Sequence, residues 1–104
     1  GFAFYLHVQY EGRIRQILNE LKRGKLEEIC GYIRDCREIY YAIPEYDDFI
    51  NLVSYHDDMF EEKVNFWSNF IRENNMVKER DLLDELVTLT NYARQEYDSL
   101  YPED

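Results

Sequence analysis

Tyr46, Ile50, Val53, Asp57, Phe60, Val64, Trp67 and Ile71 follow one another at intervals of 4-3-4-3-4-3-4. A helix turns by about 100° per residue, so this alternation returns every member to nearly the same bearing and draws one line along the rod. A strand, with its period of two, would scatter the same residues over both faces. A stripe of this kind must be covered by other helices. The expected fold is therefore all-α, a small up-down helical bundle of about four helices. Trp67, between Val64 and Ile71 on the line, is expected in the core. Asp57 is the only charged member of the stripe. Either one helix over residues 45–74 carries a polar side chain on its inner face, or two helices meet there. Asp57 or Asp58 would then cap the second, and Asp58-x-x-Glu61 partly resembles a capping box. One helix, kinked near 56–58, is the expectation.

The same period recurs on both sides. Ile14, Ile17, Leu18 and Leu21 share a face over residues 12–23, and the Arg-Gly pair at 23–24 is a C-terminal stop. A second helix is expected over 25–41, with Leu26, Ile29, Cys30, Ile33 and Tyr40 inward and Ile43-Pro44 ending it. Asn74-Asn75 makes a turn, and a last helix runs over 77–100 with Leu83, Leu86, Thr90, Ala93 and Tyr97 inward. Residues 2–10 are ambiguous. Phe2, Phe4, Leu6, Val8 and Tyr10 alternate as a strand would, yet no second strand is in sight to satisfy its backbone. A helix aligning Leu6, Tyr10, Ile14, Ile17 and Leu21 is the expectation.

The 104 residues suit one helical domain over 1–104. The apolar runs 2–6 and 39–43 fall far short of the ~20 residues of a membrane span, so no membrane association is expected. Residues 2–8 have neither a basic leader nor a small-residue cleavage site, and are not expected to be a signal peptide. Cys30 and Cys36, six residues apart on one helix, would lie about 9 Å apart along the axis and about 120° apart around it. That geometry excludes a bridge between them. Two thiols without a bridge suit a reducing compartment, and a cytoplasmic location is expected.

Catalytic and metal chemistry find little to work with. His7 and His56 are the only histidines. No local signature pairs either with Cys30 or Cys36, and no glycine-rich phosphate loop occurs. Di-iron bundles require Glu-x-x-His on two helices, and none is present. No enzyme activity, metal or cofactor is expected.

Charge points elsewhere. The net charge is −10, from 12 basic and 22 acidic side chains. Residues 1–52 carry seven basic against nine acidic groups, a net of −2, and residues 53–104 five against thirteen, a net of −8. Such a field repels phosphates, so direct nucleic-acid binding is not expected, and it attracts a basic protein partner. On the helix over 45–74, Asp47, Asp58 and Glu62 fall close to one line, with Asn51, Ser54 and Asn65 between or beside them and Asp48 turned about 100° away. Ten tyrosines exceed the needs of a core, and Tyr40, Tyr41, Tyr46 and Tyr55 bracket Pro44 beside these acids. Tyrosine gives large contact area at low entropic cost. The candidate partner-binding residues are therefore Tyr41, Tyr46, Asp47, Asp48, Asp58 and Glu62.

Small size, a negative field and the want of catalytic groups resemble, in composition and in no motif, toxin-immunity and phage-encoded inhibitor proteins. The expected function is a non-catalytic acidic protein-binding domain, an inhibitor or immunity-type protein that occludes a basic site. The alternatives are a DNA-mimic inhibitor of a nucleic-acid-binding protein and a helical interaction domain excised from a larger protein. A homodimer formed through an exposed aromatic patch belongs to the same set.

Overall fold

The structure, a computed structural model, describes residues 1–23 and 44–102. They form four helices and, among the described residues, no strand: α1 (Phe2–Arg23), α2 (Tyr46–Tyr55), α3 (Asp57–Glu73) and α4 (Val77–Leu100). The all-α bundle stands. The helix expected over 25–41 lies outside the described residues, as do Cys30, Cys36 and Tyr41.

Residues 2–10 belong to α1. In a strand Phe2, Phe4, Leu6, Val8 and Tyr10 would share one face. In the helix they part: Phe2 and Leu6 are buried and Tyr10 packs beside them, whereas Phe4 and Val8 point outward. The inner face continues through Ile14, Ile17, Leu18 and Leu21.

The long stripe is interior except at the expected weak point. Tyr46, Val53, Phe60, Trp67 and Ile71 are buried, Ile50 and Val64 half-buried, and Asp57 exposed. Here one kinked helix is corrected to two. His56 takes φ −139° and ψ 55°, which leaves the helical region. Its N–H still donates to Leu52, closing α2, and its carbonyl accepts from Phe60 N–H, opening α3. The rings of Phe49 and Phe60 meet edge to face, 5.7 Å between centroids, across this junction.

The α3–α4 turn has its own logic. Asn75 takes φ 54°, and Met76 N–H reaches back to Ile71 O while Asn75 N–H bonds Arg72 O. This is a Schellman stop with asparagine in the left-handed position, and its apolar clasp is Met76 near Ile71. Beyond it α4 buries Leu82, Leu83, Leu86, Thr90 and Ala93, and the Thr90 hydroxyl is absorbed by Leu86 O at 2.7 Å.

Each of α1 and α3 packs on both α2 and α4. Chain direction follows from the cross-links. Phe2 meets Tyr97 while Arg13 meets Glu85, so α1 and α4 run antiparallel. Among the described residues no helix is long and apolar enough to cross a membrane.

Candidate functional site

The candidate residues do not form the surface that their spacing suggested. Tyr46 is only 5 % exposed, because as the first member of the apolar stripe it faces α1. The Arg15 guanidinium lies over its ring at 4.1 Å, and its hydroxyl is 3.3 Å from His7 Nδ1. His7 Nδ1 is also 3.3 Å from Glu11 Oε1, which accepts from Arg15. Burial pushes the Tyr46 hydroxyl above the usual phenol range; Glu11 and Asp47 push the same way and Arg15 opposes them. Tyr46 thus closes α2 onto α1 and is not an accessible anchor. Tyr41 lies outside the described residues.

Asp47 and Asp48 sit in the first turn of α2, and Asp58 in the first turn of α3. Glu62 stands one turn after Asp58, and all four are exposed. Their supposed common line requires an unbroken helix. The break at His56 divides it into two short rows, Asp47 with Asn51 on α2 and Asp58 with Glu62 on α3. A helix N-terminus itself favours carboxylates, which accounts for Asp47, Asp48 and Asp58 without any partner. It does not account for Glu62.

Pairing sets these carboxylates apart from four others. Glu85 is held by the fork of Arg13, Glu45 by Lys22, Glu11 by Arg15 and Asp57 by Arg94. Hydrogen bonding and charge from Arg13 hold Glu85 below the ordinary carboxylate range, and Lys22 does the same to Glu45. Asp47, Asp48, Asp58 and Glu62 have no ion pair among the described residues. Among the described residues no cation compensates their charge at ion-pair distance.

One neighbour was missed at the level of sequence. Phe4 is 69 % exposed, and Val8, one turn along, 57 %. Ala3, Phe4 and His7 of α1 line a shallow groove with Tyr46, Asp47, Ile50 and Asn51 of α2. An exposed aromatic ring therefore stands in the same groove as a carboxylate that has no ion pair among the described residues. The signal was present in the sequence. Once Phe2, Leu6 and Tyr10 define an inner face, Phe4 and Val8 lie about 160° from their neighbours two positions away.

Among the described residues no three His, Cys, Asp or Glu side chains are placed to hold a metal ion. The fold and surface define an acidic, all-α helical domain. Neither a family model, nor a curated protein, nor a solved structure matches the chain.

Proposed function

We propose that this domain is a non-catalytic protein-binding module, an inhibitor or immunity-type protein that covers a basic site on its partner. The observation that carries the reading is that Asp47, Asp48, Asp58 and Glu62 have no ion pair among the described residues, in a chain of net charge −10. Unpaired surface carboxylates steer a basic partner. Phe4, in the same groove as Asp47, supplies the apolar contact that charge alone does not, and exposed Val8 stands one turn along from it. Mimicry of DNA fits less well, since the break at His56 leaves carboxylate rows only one turn long. A cytoplasmic setting goes with this reading, on the cysteine spacing alone.

The test is capture from a lysate of the source cells by the tagged wild-type domain and, in parallel, by an Asp47→Lys/Asp48→Lys/Asp58→Lys/Glu62→Lys variant of unchanged helicity. The expected result is a basic protein that the wild type retains and the variant loses. Equal retention by both, or a captured protein of acidic charge, would overturn the proposal. Sedimentation of the purified domain addresses the homodimer: a dimer abolished by Phe4→Ser would assign that face to self-association instead.

A further inference from the structure

The seam between α3 and α4 opens into a second groove at the turn that joins them. Ile71, Met76 and Leu83 form its floor, all less than one-tenth exposed, and Arg72 and Arg80 stand on its rim with Ser68, Asn75 and Asp84. Its volume is about 360 Å³, at the small end of the range for small-molecule sites.

The cations are unusual in their placing. Residues 53–104 hold only five basic side chains, and Arg72, Lys78 and Arg80 fall within nine positions around this turn. Arg72 suits the last turn of α3, where a helix C-terminus favours positive charge. Lys78 and Arg80 have no such reason. They lie at the start of α4, where the helix dipole opposes them. Nor, among the described residues, are the guanidiniums neutralised. Within that set Arg72 donates only to the Asn69 amide oxygen, and Arg80 meets its neighbour Asp81 at 3.5 Å, long for a charge-assisted bond. Asp84 is the one carboxylate on the groove wall, against two arginines.

We propose that this groove binds a small amphiphilic carboxylate, its chain on Ile71, Met76 and Leu83 and its carboxylate between the guanidiniums of Arg72 and Arg80. The apolar floor selects the chain, and the planar forks of the two arginines match a carboxylate head. This site is separate from the α1–α2 groove, and its occupancy does not depend on the protein-binding role proposed above.

Calorimetric titration with decanoate, kept below its micelle concentration, tests the proposal. Trp67, the single tryptophan, reports the site by its emission because it precedes Ser68 and lies one turn before Ile71. Expected is saturable binding to one site with a change in Trp67 emission. The Arg72→Gln/Arg80→Gln variant, altered only at exposed positions, should bind at least about tenfold more weakly. Decanol, which lacks the charge, and inorganic phosphate, which lacks the chain, should also bind at least about tenfold more weakly. Absence of saturable heat, or equal affinity in the folded double variant or for decanol, overturns the site.

Discussion

The Arg94 guanidinium donates to the main-chain oxygen of Val53 at 2.6 Å, across 41 residues of chain. In a continuous helix that oxygen would accept from Asp57 N–H. Here α2 ends, and a side chain of α4 takes the bond. The same guanidinium reaches Asp57 Oδ1 at 3.1 Å in the first turn of α3 and lies over the Phe2 ring of α1 at 3.9 Å. One residue therefore touches all four helices at the point where the long stripe breaks.

Arg94→Ala is expected to lower unfolding free energy by about 2 kcal/mol, since hydrogen bonds to charged groups are worth about 1.5–3 kcal/mol. Asp57→Asn should cost under about 0.5 kcal/mol, because an exposed ion pair contributes little. Urea denaturation distinguishes the two. Equal losses would mean that the ion pair, and not the capped carbonyl, holds the junction.

Asn75 provides a backbone test. Its φ of 54° is natural for glycine and tolerated by asparagine, and it strains a β-branched residue. Asn75→Gly should leave stability within about 0.5 kcal/mol, whereas Asn75→Val should lose about 1–3 kcal/mol. Thermal melts of the pair decide it. A harmless valine would sink the assignment of a left-handed stop.

Trp67 is 3 % exposed, and its Nε1 finds no hydrogen-bond partner among the described residues. Within that set the ring is held by packing. Trp67→Ala should cost about 3–5 kcal/mol through the cavity left behind. Trp67→Phe should cost clearly less than the alanine, since it keeps an aromatic body and removes a buried donor that gains nothing. Equilibrium unfolding of both variants gives the ratio, and a phenylalanine as damaging as alanine would point to an indole hydrogen bond.

The acid limb of stability has a named source. Arg13 holds Glu85, and Lys22 holds Glu45, below the carboxylate value of 4.5. A depressed folded value means that the unfolded chain binds protons more readily, so the contribution is present above about pH 4.5 and is lost as pH falls through the folded values. Tyr46 works at the other end. Its raised hydroxyl value makes ionisation costlier in the folded state than in the unfolded chain, so stability falls as pH rises above 10.0. Melting temperatures across pH 3–7 should fall on the acid side, and Arg13→Gln should flatten that fall. An unchanged acid slope in the variant would remove the Arg13–Glu85 pair from the explanation.

Much of this fold can be read from periodicity. The expected helix over 77–100 coincides with α4, and Asp57 marks the flaw in the stripe from its charge alone. The sequence could not say that the flaw is a break, because the partner of Val53 O lies on another helix, and local patterns do not encode so distant a bond. The candidate site was less legible for a related reason. Exposure of Asp47, Asp48, Asp58 and Glu62 follows from their polarity, but their alignment depended on a helix that does not continue. Tyr46 was drawn two ways, towards the stripe and towards the surface, and burial against Arg15 and His7 decides for the stripe.

The proposed binding surface makes a kinetic prediction that separates its two components. Long-range attraction acts before contact, so exposed carboxylates change the association rate, and salt weakens their effect. An anchor that fills a pocket acts after contact, on the dissociation rate. With the captured partner in hand, Asp47→Lys/Asp58→Lys should slow association at low salt, and the difference from wild type should shrink as salt rises. Phe4→Ala should speed dissociation by about tenfold or more, the scale of a truncated anchor, with association little changed. Phe4 is exposed and outside the core, so this variant keeps its fold and its kinetics report the interface directly. Unaltered association in the double-lysine variant would reduce the carboxylates to a solvated face with helix-end roles. Unaltered dissociation in Phe4→Ala would move the contact away from the α1–α2 groove.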